Sequence, residues 1–247
     1  VLRDLPIPIE IVYRLPGTLF GLVNAILVFL IFERSFKDKK LAFLGCAAYL
    51  TLFISIHTDS RVLTDTLCGT FIFAGILAYM HGSEDRKMLL LGGLMTFLAY
   101  MVKQTNAATV PVLAIAFFFQ NDRKRLTDPV FLISLLGFPL AMWLFNMSMG
   151  VGAAPAGDTT YFLQSYLIGR FNLDGIVESM ITFFPMALVL FPASIFGFAK
   201  NWRNDLMMSA WFILTVLPLI SGNLMPFYFY PVMPAIAFFA LQLLARG

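Results

Sequence analysis

Apolar residues in this chain come in long unbroken runs, with polar residues confined to the stretches between them. The runs are Leu15–Phe32, Leu41–Ile56, Leu63–Met80, Met88–Val102, Ala107–Phe119, Pro129–Met147, Val177–Phe198, Leu206–Ile220 and Phe227–Leu244. Neither strict alternation nor a one-faced helical stripe describes them, and most approach the ~20 residues that cross a bilayer core. They predict an all-α fold: a polytopic transmembrane helix bundle of about nine spans, organised as a single domain over residues 1–247. Ala107–Phe119 is the shortest run, so a re-entrant pair is a second possibility there. Residues Val1–Arg14 carry Pro6, Pro8 and Glu10 and suit a segment lying at the membrane interface rather than a span.

Composition points the same way. The chain is 60% hydrophobic with 27 Phe and only 13% charged residues, and its mean hydropathy is +0.83. That is too apolar for a soluble domain of this size. The formal net charge of +3 is small, and no basic-aromatic patch suggests a nucleic-acid partner. Cys46 and Cys68 fall inside apolar runs and read as small hydrophobes rather than as a disulfide or metal ligands.

The position of the cations orients the bundle. Alternate connections hold Arg34, Lys37, Lys39 and Lys40, then Arg86 and Lys87, then Arg123, Lys124 and Arg125, then Lys200 and Arg203, then Arg246. These are twelve of the 17 Lys and Arg residues, and the other side has only Arg3, Arg14, Arg61, Lys103 and Arg170. Cytoplasmic connections are enriched in Lys and Arg, so the twelve are expected inside. The outer face then receives His57–Asp65, the turn Lys103–Asn106, the long connection Ser148–Ile176 and the link Ser221–Pro226. In the long connection, Tyr161, Phe162, Tyr166 and Phe171 suit an interfacial helix. An outward-facing start without a signal peptide is awkward for insertion, so at least one further span is expected ahead of Val1.

The candidate chemistry lies on that outer face. His57-Thr58-Asp59-Ser60-Arg61 is a row of five polar residues wedged between two apolar runs, where ionisable groups are costly unless paired or used. Arg61 and Lys103 are the outer cations nearest to span ends and reach headgroup depth. There they can bind a lipid phosphate, or serve only as snorkelling and topology residues. Asp65, one turn after Arg61, can pair with it at a helix start or act as a carboxylate catalyst. Asp59 can hold a hydroxyl, act as a base or be merely solvated. His57 can transfer a proton, contact a phosphate or do neither. No zinc-type ligand spacing, glycine-rich phosphate loop or serine elbow is present, so no metal, nucleotide or other cofactor is indicated. Asn24 and Asn146 read as interhelical hydrogen-bonding groups.

Several short elements carry a resemblance. Tyr13-Arg14-Leu15-Pro16-Gly17-Thr18-Leu19-Phe20-Gly21-Leu22 resembles the Arg-Leu-Pro and Leu-Phe-Gly opening of C-superfamily membrane glycosyltransferases, in the protein O-mannosyltransferase and aminoarabinose-transferase branch. Ser60-Arg61-Val62-Leu63-Thr64-Asp65 resembles that family's Ser-Arg and Asp element. Phe97–Asn106, with Lys103 and Thr105, resembles its Leu-Thr-Lys segment, and Phe227-Tyr228-Phe229-Tyr230-Pro231-Val232-Met233-Pro234-Ala235 resembles its Tyr-Tyr and Pro-Ala element. The four stand in the family's order and cover nearly the whole chain.

The resemblance implies a polyprenyl-phosphate-sugar donor, dolichyl- or undecaprenyl-linked, and inverting transfer to a protein, lipid or glycan acceptor on the outer face. Arg61, Lys103, His57, Tyr228 and Tyr230 would meet the donor phosphate; an aromatic belt is the other reading of the two tyrosines. The family also carries an acidic Asp-Glu pair in an outer loop ahead of the Arg-Leu-Pro element, which this sequence lacks. The catalytic acid is therefore unassigned, with Asp59 and Asp65 as candidates, and the chain alone is expected not to turn over. Pro231 and Pro234 are expected to kink the last span. The expected location is a membrane, a prokaryotic plasma membrane rather than the endoplasmic reticulum. Rival readings are a transporter or flippase of a lipid-linked or anionic solute, and a non-catalytic scaffold subunit.

Overall fold

A computed structural model describes residues 9–54, 62–102, 109–148, 187–220 and 233–245. The described residues form nine α-helices and no strand. They are α1 (Ile9–Phe36), α2 (Lys39–Ile54), α3 (Val62–His81), α4 (Arg86–Val102), α5 (Thr109–Asn121), α6 (Pro129–Ser148), α7 (Ala187–Asn201), α8 (Leu206–Ile220) and α9 (Met233–Ala245), with a 3-10 turn at Arg123–Thr127. Each expected apolar run carries one helix. The expected interfacial helix of the long connection lies outside the described residues.

α1 shows what kind of bundle this is. Its inward stripe is small, with Gly17, Gly21, Asn24, Ala25 and Val28 buried, while Leu15, Leu19, Leu22 and Ile26 stand exposed on the opposite face. A soluble helix reverses that order, whereas small residues inside and large aliphatics outside suit packing in lipid. α6 repeats the exposed face with Ile133, Leu136, Leu140 and Leu144. Leu15–Phe36, 22 residues at mean hydropathy 2.2, is long and apolar enough to cross a membrane. α5, with 13 residues, spans only about 20 Å at 1.5 Å per residue.

One boundary differs from the sequence reading. The helix containing the first run starts at Ile9 and continues through Pro16, so Ile9–Arg14 extends α1 instead of forming a separate interfacial segment. A proline removes one backbone hydrogen bond, and the rest of a long helix carries it. At the other end, α9 is described from Met233, with Pro234 as its second described residue, and Pro231 lies outside the described residues.

α3 is the hub, packing against α1, α4 and α5, while α4 also packs on α6 and α8 on α5. α9 closes the bundle against α2, α7 and α8. Aromatic rings fill these seams. Phe36 stacks on Phe238 at 4.4 Å, Phe198 on Phe212 at 5.0 Å, and Tyr79 meets Phe131 edge-on at 5.8 Å. Gly197 lets α7 lie directly on α9, since a Cβ there would overlap the Phe239 carbonyl. The buried Asn24 donates to the Thr66 carbonyl at 2.9 Å, joining α1 to α3 as the sequence suggested. Asn146 has no described side chain.

Candidate functional site

The side chains of the expected site residues are outside the described set. His57, Asp59, Arg61, Lys103, Tyr228 and Tyr230 lie outside the described residues, and Asp65 is described only as backbone in the first turn of α3. The structure does define the helix ends that lead to them. α3 and α4 run antiparallel in close contact, with the Cys68 thiol on the Ala99 carbonyl at 3.6 Å and Gly75 facing Gly92. That register sets Val102, the last described residue of α4, level with the first described turn of α3. In sequence, Arg61 directly precedes α3 and Lys103 directly follows α4. The Asn24 bond to Thr66 holds α1 against the same end of α3.

The opposite end is described except for the expected cation Arg246. Every Asp, Glu, Lys, Arg and His with a described side chain sits there, including eleven of the twelve cations assigned to that side by sequence. The helices that start at this rim begin in a common way. Asp38 accepts from the Lys40 amide at 2.8 Å, Asp85 from Lys87 at 2.9 Å, Asp128 from Val130 at 3.0 Å and Asp205 from Met208 at 2.9 Å. α2, α4, α6 and α8 each thus receive an aspartate cap, which satisfies first-turn N–H groups and sets negative charge at the positive end of the helix dipole. Pro129 directly after Asp128 completes a familiar start signal.

Arginines tie these caps together. Arg125 reaches Asp128 at 3.0 Å, Asp122 at 3.5 Å and the Ser83 carbonyl at 3.0 Å, so one side chain joins the α3–α4 turn to the segment before α6. Arg86 adds a second contact to Asp128 at 3.1 Å. Arg34 of α1 pairs with Glu84 and lies 3.2 Å from His81 Nδ1. The Val130 amide, followed by Arg125 and Arg86, holds the Asp128 carboxyl below the usual aspartate range. Hydrogen bonds from Arg34 and His81 lower Glu84 likewise. Asp205 goes the other way: burial pushes its carboxyl up to about 6, and the Met208 amide offsets only part of that.

The sequence reading treated this rim as a topology signal and missed its aspartates. Their signal was available, an aspartate one to three residues before each apolar run that starts at this rim. Chemically, the rim's carboxylates are committed to caps and ion pairs, so this end is built for anchoring. The groups suited to phosphate and acceptor chemistry belong by sequence to the other end.

An all-helical bundle with an aliphatic exterior and one basic rim is an integral membrane protein. Residues 9–148 match the family model described as dolichyl-phosphate-mannose-protein mannosyltransferase, and the chain belongs to that family, as its short elements indicated. No curated protein sequence matches significantly. Among solved structures, the crystal structure of ArnT from Cupriavidus metallidurans bound to undecaprenyl phosphate is similar at 18% identity and a TM-score of 0.66. The match covers 95% of this chain and 46% of that one. The apo structure of the same ArnT matches with a TM-score of 0.65 at 18% identity, covering 95% and 45%. The chain thus shares the ArnT fold and spans about half of ArnT's length.

Proposed function

We propose that this chain serves a membrane glycosyltransferase that takes a sugar from a polyprenyl-phosphate donor and passes it, with inversion, to an acceptor at the face opposite the basic rim. The observation that carries the reading is the family match over residues 9–148. It is supported by the fold shared with an ArnT bound to undecaprenyl phosphate. In this reading the nine helices are membrane spans of one domain, the basic rim is cytoplasmic, and the membrane is a prokaryotic plasma membrane.

The chemistry follows from the leaving group. Breaking the bond between sugar and lipid phosphate leaves negative charge on the phosphate, and Arg61 and Lys103 neutralise it as it develops. His57, Tyr228 and Tyr230 donate hydrogen bonds to the same oxygens. A carboxylate takes the proton of the acceptor hydroxyl; Asp59 and Asp65 are the candidates within this chain. The lipid-linked sugar is the donor substrate, and no metal or cofactor is invoked. Protein, lipid and glycan acceptors all fit this scheme.

The test uses membranes containing the complete protein encoded by the gene and a radiolabelled polyprenyl-phosphate sugar. Transfer of label to a non-lipid-donor product supports the proposal. Movement of the intact lipid-linked sugar across the membrane without transfer would replace it with a transporter.

A further inference from the structure

The basic rim has a corner whose cations pair with no carboxylate among the described residues, and there Arg123 Nε donates instead to the Phe119 carbonyl at 3.0 Å. Gln120, at the end of α5, donates to the Asn204 carbonyl at 2.9 Å and accepts from the Leu206 amide at 2.7 Å. These two bonds fasten the α7–α8 turn to the end of α5. On either side of the clamp stands an arginine over an exposed ring. Arg123 lies 4.3 Å from the centre of Phe119, and Arg203 lies 4.8 Å from that of Trp202. Phe119 is 47% exposed and Trp202 43% exposed, although both are large and apolar. Lys124 and Lys200 flank them, also exposed. Among the described residues none of these four cations makes an ion pair, because the nearby carboxylates are engaged: Asp122 by Arg125, and Asp205 by the start of α8.

An exposed ring carrying a guanidinium suits the boundary of a bilayer, with the ring at acyl-chain depth and the charge among headgroups. Two such pairs on turns locked together form a fixed cationic corner. We propose that this corner binds the headgroup of an anionic phospholipid of the surrounding leaflet, with Arg123 and Arg203 on its phosphate. The occupant is a bilayer lipid at the basic rim, distinct from the donor at the opposite rim. The inference rests on the membrane placement of the bundle and is independent of transfer activity.

The experiment follows Trp202 fluorescence in nanodiscs of phosphatidylcholine carrying a minority of either brominated phosphatidylglycerol or brominated phosphatidylcholine. Within this chain, Trp143→Phe leaves Trp202 and the fully buried Trp211 as emitters, and any tryptophan outside it is likewise replaced by Phe. Stronger quenching by the brominated anionic lipid is expected. Arg123→Gln and Arg203→Gln should each lower that preference about five-fold, the ratio corresponding to ~1 kcal/mol per interfacial cation. Arg123→Lys and Arg203→Lys should restore most of it, and Lys39→Gln, elsewhere on the rim, should leave it intact. Equal quenching by the two lipids would overturn the proposal. A loss as large for Lys39→Gln as for the arginine variants would also overturn it, by showing diffuse rim charge instead of a site. Melting temperatures of the variants establish that each is folded.

Discussion

Asp128 and Asp205 do the same local job and sit in opposite electrostatic situations. Each caps a helix that begins at the basic rim, Asp128 for α6 and Asp205 for α8. Asp128 has two arginines on its carboxylate and titrates below the usual range. Asp205 is sheltered without a basic partner among the described residues, and its carboxyl rises to about 6. Capping alone thus does not decide what an aspartate contributes. Whether charge arrives to replace lost water decides it.

That contrast can be broken most strongly at Arg125. Arg125→Met strips the inner partner from Asp128 and leaves Asp122 and the Ser83 carbonyl without theirs. Loss of one member of a buried pair should lower the melting temperature by roughly 10 °C.

The pair of Asn variants tests the contrast directly, because Asn caps a helix about as well as Asp. For Asp205 the folded value lies above the unfolded ~3.9. Its favourable contribution is therefore complete below pH ~4 and is lost as pH rises through about 6. Above that pH, Asp205→Asn should stabilise the protein by about 2 kcal/mol, an upper-range figure for a carboxyl not wholly cut off from water. Thermal unfolding from pH 4 to 7 should show the native protein losing stability up to about pH 6 and levelling off above it, while the variant lacks that loss. For Asp128 the folded value is depressed, so its contribution is present at neutral pH and disappears only in acid. Asp128→Asn should lower the melting temperature at pH 7 by roughly 5 °C. Equal signs for the two substitutions would contradict the comparison.

Arg86 marks the small end of the scale. Its side chain is 67% exposed, and Arg86→Gln should cost no more than ~1 kcal/mol, read from the same melts at low and high salt.

The helices were largely legible because unbroken apolar runs demand helical backbone in a membrane, and one helix falls on each run. Boundaries were less legible where proline is tolerated. Pro16 passes inside α1, so the residues from Ile9 on extend the first helix. The glue role of Asn24 was readable, since an amide among aliphatics must find a partner. The arginine ties were not: Arg125 meets Ser83 from 42 positions away, and a sequence carries no sign of such contacts. The candidate site stays an expectation from resemblance, because Arg61 and Lys103 lie outside the described residues, and the structure shows only that the helices leading to them, α3 and α4, pack together.

The account divides the molecule into an anchoring rim and a chemical rim, and one paired measurement tests that division most directly. Transfer from a radiolabelled polyprenyl-phosphate sugar and melting temperature would be read together for the complete protein and for Arg61→Ala, Lys103→Ala and Arg125→Met. Arg61→Ala and Lys103→Ala should each cut transfer by about 100-fold or more with melting unchanged, whereas Arg125→Met should melt early and keep its transfer per folded molecule. Undiminished transfer in both Arg61→Ala and Lys103→Ala would contradict the account.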